Sequence, residues 1–280
     1  MWSPEERINI LRAETARVEH YLKALPEEAW KRPSACDRWT VADVVAHLTG
    51  SGRLYPPRII RAVQGDASPD EPAIHRLATG QLDPVGIGDW AITLRQELGD
   101  RLLSEFIKSN QTMDQALAKV GSQDWDKLVY RGVGTESLRN LVDVFITERT
   151  IHGWDIRSRF DPQASLSPEC VPIIVERIPQ RPRWWSFRAE AGFSPLPLRY
   201  RFEVAQPAPY VVDVVVTEKQ QYLEVGSTEA AQVIIRCAGE TFVLLMYGRI
   251  KPEAAIAEGR VSSEGDQQLV TAFAERFTGG

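Results

Sequence analysis

A stripe of side chains over residues 138–155 constrains this chain more than any other feature. Leu138, Leu141 and Phe145 follow one another at steps of three and four, and the same steps continue to Glu148, His152 and Asp155. That spacing places all six on one face of a helix. A face that begins apolar therefore ends in a carboxylate, an imidazole and a second carboxylate. Unpaired charge is expensive to bury, so these groups must pair with one another, with a cation or with a metal. Glu148 and His152, four residues apart, can converge on one ion from a single turn. The same spacing also occurs in surface pairs and in satisfied core contacts, so a third donor from elsewhere is needed to separate a metal site from those.

The first half of the chain reads as helices that can supply such a donor. One helix starts at Ser3, with Pro4, Glu5 and Glu6 in its first turn, and carries Ile8, Leu11, Val18, Leu22 and Leu25 before Pro26 ends it. Thr40 and Asp43 form an approximate capping box for a second helix, which carries Val41, Val44, Val45, His47 and Leu48. Pro56 and Pro57 are expected to kink or interrupt it. Residues 65–88 read as a loop whose glycines do not match a phosphate-binding fingerprint. A third helix is expected from Trp90 to Val120, with Leu98, Leu102, Phe106, Met113 and Leu117 as its stripe. A turn region from Gly121 to Gly134 leads to a fourth, from about Glu136 to Arg157. Four amphipathic helices of this kind make a bundle, and bundles build metal sites from side chains on facing helices.

His47 shares a face with Val44, Leu48 and Ser51, so it can point inward. It reads either as a core histidine held by a hydrogen bond or as the third ligand beside Glu148 and His152. Two imidazoles and one carboxylate suit zinc first, and nickel or iron as well, with water or substrate completing the shell. His20 and His75 lack such a context and read as surface or loop residues.

After residue 160 the pattern changes. Proline, arginine and tryptophan fill residues 168–197, including the run Arg181-Pro182-Arg183-Trp184-Trp185. Such a run can bind nucleic acid, but the chain carries a net charge of −5, which favours an interdomain linker packed by its tryptophans. Residues 198–204, 210–216, 221–225 and 232–236 then read as strands, and 240–247, 252–258 and 266–277 as helices. The expected architecture is α+β: a four-helix bundle over 1–160, a linker over 161–195 and a smaller α+β domain over 196–280, with the active cleft between the two. At 43% apolar and 25% charged residues the composition is that of an ordinary globular protein. The first residues, Met1 to Arg7, carry no signal-peptide core, and no apolar run is long enough to span a bilayer. A cytoplasmic protein with neither membrane nor nucleic-acid partners is the expectation. Cys36, Cys170 and Cys237 are scattered and form no paired motif, so neither a disulfide framework nor a thiolate zinc site is indicated.

Two blocks carry a resemblance. The segment Trp39-Thr40-Val41-Ala42-Asp43-Val44-Val45-Ala46-His47-Leu48, with Glu148, His152 and Asp155 a hundred residues on, resembles the DinB-like metal-binding bundle. More narrowly, it is similar to the mycothiol-dependent maleylpyruvate isomerase family. The tail supports the narrower likeness, through residues 237–249 ending in Gly248-Arg249, then Pro252-Glu253, Glu258-Gly259-Arg260 and Glu264-Gly265-Asp266. The resemblance implies a DinB-like four-helix bundle followed by a smaller α/β domain of sterol-carrier type. It implies that His47, Glu148 and His152 are metal ligands and that Arg249 is catalytic. It also implies two small-molecule partners, an electrophile and a low-molecular-weight thiol such as mycothiol. The electrophile is isomerised through thiol addition, rotation and elimination, or accepts the thiol in S-transfer.

A metal with an open position can hold a thiol as thiolate at neutral pH. No cysteine is expected near the site motif, which is compatible with a small-molecule thiol. Arg249 reads as a bidentate carboxylate binder or as a solvated helix-terminal arginine. Asp155 reads as the group that orients a ligand imidazole or as a contact to the second domain. The competing function is a non-catalytic metal-binding protein whose C-terminal domain holds an apolar small molecule.

Overall fold

The computed structural model describes residues 2–36, 38–69, 84–132, 134–180, 196–205, 209–217 and 221–276. His75 and the basic-aromatic run 181–185 lie outside these residues. The chain divides into two compact units, Met1–Ser167 and Pro168–Gly280.

The first unit is helical. Helix α1 (Pro4–Ala24) opens with a capping box in which Ser3 and Glu6 satisfy each other's backbone N–H groups. Helix α2 (Val41–Val63) opens with the same device built from Thr40 and Asp43. Helices α3 (Pro84–Leu98) and α4 (Leu102–Leu117) follow, then α5 (Leu138–Arg157), whose N-cap is Ser137. Helix α2 packs on α4, α3 and α5, while α1 packs on α5 and α4. Leu22, Val41, Val44, Val45, Leu48, Leu102, Phe106 and Ile156 join in one apolar core.

Four details depart from the sequence reading. Helix α3 begins at Pro84, inside the stretch expected as a loop. The third helix, expected to be continuous, is broken: Gly99 takes a φ of 50° and a 3₁₀ turn spans Gly99–Arg101. Glycine enters that left-handed region without the steric cost other residues meet, so the helical ladder stops there and restarts at Leu102. Conversely, Pro56 and Pro57 do not interrupt α2. Each ring removes a helix N–H at a cost of about 3 kcal/mol, but burial of Tyr55, Pro56, Arg58 and Ile59 holds the turn in place. Finally, part of the turn region before α5 is a short antiparallel hairpin, β1 (Leu128–Tyr130) with β2 (Thr135–Ser137).

The second unit begins with helix α6 (Val171–Arg177), inside the stretch expected as linker; Ile173 and Ile174 are fully buried there. Its sheet comprises β3 (Leu198–Val204), β4 (Tyr210–Val216), β5 (Gln221–Val225), β6 (Val233–Cys237) and β7 (Val261–Gly265), in the order β5-β4-β3-β6-β7. Only β3 and β6 run parallel. Helices α7 (Gly239–Met246), α8 (Pro252–Ala257) and α9 (Gln267–Arg276) complete the unit. On one face Tyr200 and Phe202 pack against Phe242 and Phe273. On the other, Arg199 and Arg201 close over the buried carboxylate of Asp213 at 2.8–2.9 Å. Strand β7 was not foreseen because Val-Ser-Ser-Glu-Gly carries no apolar alternation; pairing with β6 makes it a strand. The architecture is therefore α+β, as expected. No helix among the described residues is long and apolar enough to cross a membrane.

At Gly52 of α2 an added Cβ would stand 2.6 Å from the Ser109 Oγ and 2.9 Å from its Cβ. The Ser109 Cβ belongs to a helix and cannot rotate away. Gly52→Ala is therefore expected to destabilise the first unit by about 1–3 kcal/mol. Urea denaturation checks this, and an unchanged midpoint would show that α2 and α4 separate freely.

Candidate metal centre

The site is assembled by three segments. Capping fixes the start of α2: the Thr40 backbone N–H donates to the Asp43 Oδ2 at 2.9 Å, and the Asp43 Oδ1 receives Arg95 at 2.5 Å. Val44, Val45 and Leu48 are fully buried, which fixes the rotation of α2 and turns His47 inward. Helix α5 is fixed in the same way by Leu138, Leu141 and Phe145. The third segment is the loop 32–40, crossed by its own hydrogen bonds: Ser34 N–H to the Trp39 carbonyl at 2.9 Å and Val41 N–H to the Arg32 carbonyl at 3.0 Å. The Ala35 N–H donates to the Asp155 carbonyl at 2.8 Å and so ties the loop to the last turns of α5.

These segments bring the side chains together. The His47 Nε2 lies 3.0 Å from the Glu148 Oε2, and the His152 Nε2 lies 3.4 Å from the same oxygen. One nitrogen of each histidine and one carboxylate oxygen fall within 4.8 Å of one another. The two rings meet edge to face at 4.9 Å between centroids. Trp39 covers both, 5.0 Å from His47 and 5.9 Å from His152. The other ring nitrogen of His152 is 2.9 Å from the Asp155 Oδ2, and Asp155 is completely buried. The Glu148 side chain, 26% exposed, is the most open of the set.

The electrostatics follow from this packing. Burial lowers the pKa of His47, and the hydrogen bond to Glu148 only partly opposes it. Burial works against the Glu148 charge, but the hydrogen bonds of His152 and His47 outweigh it and hold the carboxyl well below its ordinary range. For His152 burial again disfavours the charge. Hydrogen bonds with Asp155, Cys36 and Glu148 outweigh burial and hold the imidazole well above its ordinary value.

The donor set fits a divalent ion. Two imidazoles and a carboxylate converge from two helices, and the outer nitrogen of His152 meets a carboxylate that can fix its tautomer. The His47 Nδ1 is buried and has no hydrogen-bond partner among the described residues. That orientation leaves the Nε2 lone pair directed at the cluster once it is unprotonated.

Other residues fall as follows. His20 is exposed on α1. Arg249 lies in the second unit, where Gly248 at φ 64° ends α7 and the Arg249 N–H closes back on the Leu244 carbonyl at 2.8 Å. Its guanidinium donates to the Tyr247 carbonyl at 2.9 Å. Cys36 overturns an expectation. No cysteine was expected near the site, yet the Cys36 sulfur lies within 4.8 Å of a ring nitrogen of His152 and of an Asp155 oxygen. No periodic signal could have revealed this, because the residue reaches the site through a loop.

Comparisons with known proteins bear on the family and the fold. The model of the mycothiol maleylpyruvate isomerase N-terminal domain matches residues 11–157, and that of the SCP-2 sterol transfer family matches residues 188–278. Among solved structures, the mycothiol-dependent maleylpyruvate isomerase superposes with a TM-score of 0.65 at 15% identity, over 94% of this chain and 93% of that one. A mutant of that enzyme gives 0.63 at 16% identity over the same shares of the two chains. No curated protein matches the sequence. The fold is thus a DinB-like helical domain followed by a sterol-carrier-type domain of sheet and helices.

The three cysteines should differ in reactivity. Cys170 is fully buried, and burial pushes the Cys237 thiol up to about 12 despite the nearby Arg260, whereas Cys36 is only half-buried. Native protein is expected to yield one fast thiol to an aromatic disulfide reagent at mild alkaline pH, and Cys36→Ser to yield none. A fast thiol persisting in that variant would contradict the packing described.

Proposed function

The chain belongs to the mycothiol maleylpyruvate isomerase N-terminal domain family, and on that premise we propose that it is a divalent-metal-dependent enzyme acting through a low-molecular-weight thiol of the mycothiol type. The reaction is isomerisation of a small electrophile by reversible thiol addition, or transfer of the thiol onto it. The observation that carries this reading is the meeting of His47, Glu148 and His152 on one carboxylate oxygen. Those three residues would hold the ion, zinc first by donor type and nickel or iron as alternatives. When bound, such an ion holds a thiol as thiolate at neutral pH.

The chain's own groups have separate tasks in this proposal. Asp155 holds the outer nitrogen of His152 and so keeps the ring's other nitrogen directed at the ion. Trp39 shields the two rings from water on one side. Arg249 binds an anionic group of the substrate and keeps it in register. The cytoplasm, where thiols are kept reduced, suits such chemistry.

The decisive experiment is thiol consumption by metal-loaded protein against a panel of small electrophiles. Turnover is expected to need both metal and thiol, and metal-loaded protein inert to every electrophile would sink the reading. His152→Ala is expected to lose the metal, as read by elemental analysis. Equal metal content in wild type and variant would remove His152 from the ligand set. Asp155→Asn should keep the fold and weaken metal affinity by about 10–100-fold in a chelator competition. Arg249→Ala should keep metal content and melting temperature while losing about a hundredfold in rate. Normal turnover in that variant would exclude a role in catalysis.

A further inference from the structure

We propose that Cys36, His152 and Asp155 form a second cation position, one that takes a thiophilic divalent ion and shares the His152 ring with the first. The inference does not depend on the proposed activity. It starts from the finding that donors around His152 fall into two sets. His47, Glu148 and His152 make one, and Cys36, His152 and Asp155 make the other; in each, the ligand atoms lie within 4.8 Å of one another. Bonds of about 2.0–2.3 Å to a tetrahedral ion place donors roughly 3.3–3.8 Å apart. The widest pair of the second set therefore needs to close by at most roughly 1–1.5 Å to hold an ion.

The two positions use opposite edges of one ring. The His152 Nε2 faces Glu148, while the Nδ1 faces the Asp155 Oδ2 at 2.9 Å. An ion entering between Nδ1 and Oδ2 replaces the proton those atoms share, and that proton leaves to water together with the Cys36 thiol proton. The third donor is held in place by its backbone. Cys36 N–H donates to the Ser34 Oγ at 3.0 Å, and the Cys36 carbonyl accepts from Trp39 N–H at 2.9 Å. Its neighbour Ala35 is bonded to the Asp155 carbonyl, so loop and helix cannot drift apart without breaking that link. The Cys36 sulfur lies within 4.8 Å of a ring nitrogen of His152 and of an Asp155 oxygen.

Sulfur changes the selectivity of the position. A set of two imidazoles and a carboxylate suits borderline ions, whereas a thiolate added to imidazole and carboxylate favours softer ones such as zinc, cobalt and cadmium over magnesium or calcium. The other cysteines are both buried in the second unit, and neither joins a donor set among the described residues.

The test is optical and needs no turnover. Cobalt(II) is added to the full-length Glu148→Gln variant, which disables the first position and leaves the second intact. A sulfur-to-cobalt charge-transfer band in the near ultraviolet is expected, saturating at one equivalent. Magnesium in hundredfold excess should not displace it. The double variant Glu148→Gln with Cys36→Ser should show no band while keeping the helical circular dichroism of its parent. Absence of the band in Glu148→Gln overturns the proposal, because the sulfur would then need the first set to bind. A band that persists in the double variant overturns it too, since another cysteine would be the ligand. Neither result bears on whether the His47–Glu148–His152 position supports thiol turnover.

Discussion

One carboxylate oxygen placed between two imidazoles is the interaction on which the first unit turns. The Glu148 Oε2 lies 3.0 Å from His47 and 3.4 Å from His152. Neither helix can rotate without opening this contact, and opening it would leave charge in an apolar bundle. The surrounding core makes the arrangement tolerable. Val44, Val45, Leu48, Leu141 and Phe145 are buried next to it and set the rotation of α2 and α5 within narrow limits. The polar cluster is thus held by packing that it does not itself provide, which is the condition for a site that is ordered before its ligand arrives.

Supporting contacts extend outward in two directions. Asp155 is fully buried and restrains His152, and its main-chain carbonyl restrains the loop that carries Cys36 and Trp39. A single residue therefore couples ring orientation to loop position. On the other side Arg149 is buried at 2% exposure, donates to Asn110 at 2.9 Å and lies over the ring of Phe106. Asn110 passes the link on to Glu19 at 3.0 Å. The residue after Glu148 thus carries a positive charge into the interface of α5 with α4.

Much of this was legible in the sequence because it is periodic. The stripe from Leu138 to Asp155, the capping residues Ser3, Thr40 and Asp43, and the inward face of His47 all follow from local spacing, and the structure places them accordingly. Strands β3 to β6 were readable because their residues alternate or form β-branched runs. What escaped was set by partners distant in sequence. Strand β7 is polar and exists because β6 pairs with it. Gly99 breaks the third helix although the apolar stripe runs on through it. Pro56 and Pro57, strong local signals for a break, were overruled by burial. Cys36 had no pattern around it, and only the hydrogen bond from Ala35 to α5 explains its place beside His152.

The cluster's charge arrangement links packing to ligand choice. With no cation, burial should strip His152 of its proton, yet Asp155, Cys36 and Glu148 together hold that proton well above the ordinary range. Hydrogen bonds with His152 and His47 hold Glu148 ionised well below its ordinary range. The cluster therefore has one buried carboxylate, Asp155, and one partly exposed, Glu148, with a proton lodged on the ring between them. On the proposed reading, a divalent ion beside Glu148 would bring more positive charge than that proton. Proton and cation would then compete for the same electrostatic vacancy. The site could lose its ion without collapsing, because the apolar core holds its side chains and the proton would take over part of the cation's role. That is the physical difference between this bundle and a zinc finger, whose ligands have no comparable core to hold them.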